Sequence, residues 1–233
     1  MQIIIAGCEY SGTTTLGLEL KKWATNQLGI APEYHDHWKI PEISCYPTGL
    51  PSATLTESDK NHILSLSPKL KEMIQRQSII YHMPDKIDDS DFIYIGFHYE
   101  DTVYCDKYFS YGGETEVQGG PRTNYSRQLE QKLLSGAPDI IVIHVTCNSE
   151  TIKKRMESDP HPYQIIKPQD IDEVLSNFEY EFNKSLLSPL KLDTTNKSIT
   201  QSTDELIKLV ESALSENDKI RIKAHKLFEE INK

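Results

Sequence analysis

Apolar β-branched runs alternate along this chain with longer segments whose apolar residues recur at helical spacing. Strands are predicted at residues 2–6, roughly 33–37, 92–98, 139–146 and, briefly, 190–193. Ile3-Ile4-Ile5-Ala6 and Ile140-Ile141-Val142-Ile143 are nearly unbroken apolar runs, the pattern of central strands covered on both faces, and they are expected to be neighbours. Helices are predicted between them at 14–27, 57–66, 68–82, about 101–110, 124–134, 150–157, 169–187 and 204–214. A final stretch, 219–232, sets Ile220, Ile222, Leu227, Phe228 and Ile231 against a charged face, as a helix packed on the surface of the domain would. The alternation implies one α/β domain of three layers: a five-stranded parallel sheet with helices on both faces.

Three segments follow neither period. Residues 41–56 carry Pro41, Pro47, Gly49 and Pro51, and residues 112–123 carry four glycines and Pro121, so both read as long loops. Loops of this length in a compact domain often bind or cover a ligand, which places them on the substrate side. Residues 158–168, with Pro160, Pro162 and Pro168 between two helices, have the position of a small lid.

At 233 residues the chain is long enough for a single core of this kind. Its 25 Lys and Arg stand against 35 Asp and Glu, a formal charge of −10 that argues against broad binding to a nucleic-acid backbone. No run approaches the roughly 18 apolar residues of a membrane span, and residues 1–7 lack the basic start and long apolar region of a secretory signal, so a cytoplasmic location is expected. Cys8, Cys45, Cys105 and Cys147 lie far apart without metal-ligand spacing and are expected to be reduced, mostly buried thiols. His35 and His37 flank Asp36, yet no third residue has the spacing of a metal ligand. The hydroxyls near the N-terminus come without the Gly-x-Ser-x-Gly elbow of serine hydrolases.

The segment Ile3-Ile4-Ile5-Ala6-Gly7-Cys8-Glu9-Tyr10-Ser11-Gly12-Thr13-Thr14-Thr15-Leu16 carries the most chemistry. Gly7 and Gly12 lie between a predicted strand and a predicted helix, so backbone amides and a helix N-terminus would converge on an anion. Gly7, Ser11, Gly12, Thr13, Thr14 and Thr15 are therefore candidates to hold phosphates. Thr14 stands where a Mg²⁺-ligating hydroxyl belongs. Thr13 occupies the place where such loops normally carry lysine, whose charge-assisted hydrogen bond is worth roughly 1.5–3 kcal/mol in binding. Another cation must then reach the phosphates; Arg155 and Lys154 precede the lid, with Arg122 and Arg127 beside the glycine-rich loop.

In these features the chain resembles the P-loop nucleoside and nucleotide kinases, closest in layout to thymidylate kinase, over about residues 1–215. Asp36 lies near the end of the second predicted strand in Tyr34-His35-Asp36-His37-Trp38, where that class often carries an acid facing the substrate. Gly96-Phe97-His98-Tyr99-Glu100-Asp101 would bring carboxylates to the end of the third strand, and Asp106-Lys107-Tyr108 resembles an Asp-Arg-Tyr signature with Lys107 in place of arginine. Ile152-Lys153-Lys154-Arg155-Met156 leads into the lid, and Leu192-Asp193-Thr194-Thr195-Asn196-Lys197-Ser198 resembles the strand and loop that hold adenine. The resemblance implies ATP-dependent phosphoryl transfer to a nucleoside or nucleoside monophosphate, with ATP and Mg²⁺ required. Asp36, Glu100, Asp101 and Arg155 would be catalytic, Asp193 would assist the nucleotide, and Trp38, Arg76, Tyr99, Lys107 and Arg122 would face the acceptor, with Tyr81 and His82 as further stacking surfaces. It also implies small-molecule partners and homodimerisation, without membrane or nucleic-acid binding. Two alternatives stay open: a nucleotide-binding regulator with an inactive loop, and a kinase acting on a modified base in DNA.

Overall fold

A computed structural model describes residues 1–36, 38–43, 54–84, 90–113 and 122–232, and of Trp38 only the backbone. Strand β1 (Gln2–Gly7) lies at the centre, paired in parallel with β5 (Phe92–Ile95) on one side and β6 (Ile141–Thr146) on the other. Ile4 sits opposite both Tyr94 and Val142, so the two apolar runs are neighbours as expected. Strands β2 (Glu33–His35) and β7 (Leu190–Asp193) complete a parallel sheet of order β2-β5-β1-β6-β7.

Side chains alternate across a strand, which gives the sheet two faces and the domain two cores. Ile3 and Ile5 point to the face covered by α1 (Thr13–Leu28), α8 (Ile199–Ala213) and α9 (Glu216–Ile231), where Leu16, Leu20, Leu206, Val210 and Ile222 meet them. Ile4 and Ala6 point to the opposite face, under α3 (Pro68–Tyr81), α4 (Phe97–Phe109), α5 (Arg122–Gly136), α6 (Ser149–Ser158) and α7 (Ile171–Lys184), among Ile79, Tyr104, Leu133, Ile152 and Phe178. Each fully buried Ile, Leu or Phe contributes about 1.5–3 kcal/mol. Helix α2 (Glu57–Ser65) buries no residue and is held at its start by a capping box between Thr56 and Asp59.

The elements depart from the sequence pattern at three informative places. The strand predicted over 92–98 ends at Ile95, because Gly96 adopts φ 85° and ψ −64° and the chain enters α4 at Phe97. Glu100 and Asp101 are therefore helical, not at a strand end. Helix α8 starts at Ile199, earlier than 204, because Ser198 and Gln201 form a capping box. A short antiparallel hairpin, β3 (Trp38–Lys39) and β4 (Glu42–Ile43), occupies the residues just past one predicted strand and the start of a predicted loop. The cores of the predicted loops 41–56 and 112–123, together with His37 and Cys45, lie outside the described residues. Cys8, Cys105 and Cys147 are free and buried. Among the described residues no helix is long and apolar enough to cross a membrane.

Candidate active site

Strand β1 ends at Gly7, where an added Cβ would fall 2.0 Å from the Val145 carbonyl oxygen and 2.9 Å from Ser11 Oγ, so no larger residue fits. The chain then turns tightly: the Ser11 amide donates to the Cys8 carbonyl at 3.0 Å, and Tyr10 and Gly12 take φ of 65° and 102°. Gly12 caps α1 without a side-chain hydrogen bond, and the first intrahelical bond runs from the Leu16 amide to its carbonyl. The amides of Thr13, Thr14 and Thr15 thus belong to the first turn, where no intrahelical acceptor exists and the helix carries positive potential. Ser11 Oγ is buried without a hydrogen-bond partner. This loop forms one wall of a cavity of about 730 Å³. An orphaned buried hydroxyl beside free helical amides is the donor set that a polyphosphate satisfies.

Across the cavity the chain leaves β2 at His35 and presents Asp36. Its carboxylate accepts hydrogen bonds from the Thr14 hydroxyl and, at 3.4 Å, the Tyr34 hydroxyl. Burial raises its pKa to about 6, although Lys39 and these hydrogen bonds act in the opposite direction. Thr14 and Asp36 are together the pair of oxygen donors suited to Mg²⁺. From the β3–β4 hairpin comes Lys39, whose ammonium lies 3.4 Å from the Glu9 carboxylate. Burial alone would lower the Lys39 pKa, but the charges of Glu100, Glu9 and Asp36 hold it up. Glu100, 3% exposed in the first turn of α4, completes the group. Burial lifts it to about 7; Lys39 opposes this, and the charges of Asp36 and Glu9 add to it.

Helix α6 supplies Arg155, whose guanidinium donates to the carbonyls of Tyr10 at 2.8 Å, Ser11 at 3.1 Å and Thr194 at 3.1 Å. Thr194, just beyond β7, donates its hydroxyl to the same Ser11 carbonyl at 2.9 Å. With its carbonyls bound from behind, the loop is fixed in the conformation described. The segment 159–167 closes over it: Glu9 accepts the amides of Ile165 and Ile166 at 2.9 Å each, and the Tyr10 hydroxyl donates to Gln164 at 2.7 Å while accepting the His161 amide at 2.9 Å.

The structure therefore brings together Gly7, Ser11, Gly12, Thr13, Thr14, Thr15, Asp36, Glu100 and Arg155 from the sequence-derived candidates. Others lie elsewhere, most of them held by a local partner. Asp101 forms a buried ion pair with Arg122 and accepts the Tyr111 hydroxyl at 2.8 Å. Arg76 donates to Glu72 at 2.8 Å and lies over the Tyr125 ring. Tyr99 is buried, with its hydroxyl 2.6 Å from Ser185 Oγ and its ring stacked on Phe182. Lys107 bonds Glu173 and Asp170 at the surface. Asp193 accepts the Thr195 amide and shapes its own turn, leaving Thr194 to touch the loop after β1. Arg127 is taken by Glu130 and Glu181, and Lys154 by Glu150. Tyr81 is exposed, and His82 packs against His35 with ring centroids 4.0 Å apart. Among the described residues no cluster of three metal-ligating His, Cys, Asp or Glu occurs. Lys39, Glu9 and Tyr10 are site residues that sequence reasoning passed over; for Glu9 and Tyr10 the signal was a charged and an aromatic side chain inside the loop itself, and for Lys39, on the β3–β4 hairpin, there was none.

No protein-family model and no curated protein matches this chain in sequence. Solved structures do match in fold. The chain is similar to the YorR protein from Bacillus subtilis in complex with phosphorylated GDP, with 17% identity over 91% of this chain and 96% of that one and a TM-score of 0.54. It is similar to thymidylate kinase from Candida albicans, with 19% identity over 91% of each chain and a TM-score of 0.53. It is also similar to deoxyadenosine kinase from M. mycoides with bound dATP, with 14% identity over 91% of this chain and all of that one and a TM-score of 0.56. At such identities the likeness is one of architecture: the three-layer, five-stranded parallel fold of the P-loop kinases.

Proposed function

We propose that this protein transfers the γ-phosphoryl group of ATP to a nucleoside or nucleoside monophosphate. The observation that carries the reading is the joint placement, around one cavity, of a phosphate loop at a helix N-terminus and the Thr14–Asp36 oxygen pair. In this reading the amides of residues 12–15 and Ser11 Oγ bind the donor phosphates, Thr14 and Asp36 hold Mg²⁺, and Glu100 supports them from behind. Bound Mg²⁺ supplies charge neutralisation at the phosphates. Arg155 keeps the loop in its binding conformation, and Lys39 supplies the positive charge that Thr13 cannot. The segment 158–168 serves as a lid that excludes water. The likeness in fold to thymidylate and deoxyadenosine kinases agrees with a small nucleotide or nucleoside acceptor and with a single kinase-like domain.

Positioning and electrostatics account for most of the catalysis in phosphoryl transfer, so a loop without its lysine retains most of the required parts. The test is ATP turnover with Mg²⁺ against a panel of nucleosides and monophosphates, beside calorimetry of ATP binding. Transfer to a member of the panel supports the reading. ATP binding without transfer to any acceptor would instead mark a nucleotide-binding regulator.

A further inference from the structure

We infer that the outer face of helix α9 docks a second copy of this chain, the two α9 helices packing antiparallel about a two-fold axis. The inference stands apart from the phosphoryl-transfer reading.

Helix α9 is fixed to the domain along one side. Asp218 and Ile222 are buried, Arg221 donates to Asp91 at 2.8 Å, the Met1 amino group lies 2.9 Å from Asp218, and His225 packs on Gly29. Of the five apolar residues that the sequence pattern sets together in this stretch, Ile222 alone is buried. With 3.6 residues per turn, Ile220, Ala224, Leu227 and Ile231 fall within about 40° of the direction opposite Ile222. They point straight away from the core. Ile220 is 65% exposed, Leu227 50% and Ile231 82%, with Phe228 at 63% beside them and Ala224 exposed in the middle. A contiguous apolar stripe of this kind adds nothing to the folding of its own domain, and on a monomer it marks an interaction site.

The spacing identifies the occupant as another helix. Steps of four, three and four residues from Ile220 through Ala224 and Leu227 to Ile231 are the alternation of a heptad seam, a narrow line of knobs and holes. A helix lying on an anionic membrane would instead carry a basic polar face, whereas this seam is flanked by both Lys223 and Glu230 in a chain of formal charge −10.

The same flanking charges select self-pairing and its direction. In an antiparallel pair whose axis passes between residues 225 and 226, Ile220 of one copy faces Ile231 of the other, and the small Ala224 faces the large Leu227. Lys223 of each copy then lies beside Glu230 of the other, so two ion pairs form by symmetry. Among the described residues neither Lys223 nor Glu230 has an ion pair within its own chain. A parallel pair would set Ala224 against Ala224, leaving a gap, and Lys223 against Phe228. Flanking pairs of this kind fix register more than they add affinity. The contact covers roughly 1,000 Å² in total, at the small end of stable interfaces, so the dimer forms as concentration rises. No residue of α9 lines the cavity, which stays open in both copies.

The test is sedimentation equilibrium of the full chain at concentrations from about 1 to 200 μM, a range that spans weak to moderate affinity. The expected result is a mass that rises from one copy to two. Leu227→Glu with Ile231→Glu, both at exposed positions and checked by thermal melt, should weaken association at least 10-fold. Lys223→Glu alone should weaken it about threefold or more, and Lys223→Glu combined with Glu230→Lys should restore it. A chain that stays monomeric throughout overturns the inference. So does a dimer indifferent to the Leu227 and Ile231 changes, which would place the contact elsewhere, or a charge exchange that fails to restore association, which would exclude the antiparallel register. Binding of the monomer to phosphatidylserine vesicles, lost in the Leu227→Glu and Ile231→Glu variant, would assign the face to a membrane instead.

Discussion

The ring of Tyr10 in the loop after β1 lies against that of His161, with centroids 4.2 Å apart and planes 19° from parallel. Together with the two amides that Glu9 accepts, this stack joins the loop to the segment that covers it. Loop and cover are one mechanical unit, so disturbing either should be felt in the other. Glu9→Ala leaves the Ile165 and Ile166 amides without acceptors. Amide hydrogen exchange over 159–167 should quicken at least 10-fold, with a loss of about 1–3 kcal/mol in stability. Unchanged exchange there would show that the contacts do not couple the two segments.

Gly7→Ala tests the close approach of β1 to β6. The added methyl has Val145 backbone in its path, which cannot yield without breaking sheet pairing. We expect about 3 kcal/mol of destabilisation by urea denaturation, at the upper end of overpacking costs.

The two raised carboxylates fix the sign of a pH effect on the ligand-free protein. Asp36 is raised to about 6 and Glu100 to about 7. The folded state therefore binds protons more tightly than the unfolded chain, and stability falls as pH rises from about 5 through 7. The free energy of unfolding, measured by urea denaturation, should be larger at pH 5.5 than at pH 7.5 by an amount on the order of 1–3 kcal/mol. Asp36→Asn with Glu100→Gln should flatten the slope; a slope that persists in this double variant would mean that other groups are responsible.

Lys39→Met removes the ammonium from among Glu9, Asp36 and Glu100. If Lys39 supplies positive charge to the donor phosphates, ATP affinity measured by calorimetry should fall about 10- to 100-fold, the size of one charge-assisted hydrogen bond. Lys39→Arg should recover part of it. Equal affinity in wild type and Lys39→Met would move that role to another cation.

Arg122→Leu leaves Asp101 buried and unpaired. Breaking a buried pair on one side costs about 3–5 kcal/mol. Urea denaturation should show a loss of that size, while ATP affinity, which does not involve this pair, should stay within about threefold of wild type.

The alternation of apolar runs and helical stretches was sufficient to determine the architecture, because strands covered on both faces must be continuously apolar and the helices covering them must be amphipathic. That is why the pairing of Ile3–Ile5 with Ile141–Ile143 and the position of Gly7 to Thr14 could be read from the chain alone. The sequence could not decide which charges meet. Asp101, Arg122, Arg76 and Lys107 have the chemistry of a phosphate site, but tertiary packing gives each a nearer partner. Lys39, unremarkable in sequence, is carried into the cavity by a hairpin two residues long on each side. Gly96, by turning the chain into α4 early, places Glu100 beside Asp36 through space, a proximity that no linear spacing encodes. Covalent neighbours and periodicity govern the backbone, whereas electrostatic partnerships depend on distances that exist only after the layers have closed.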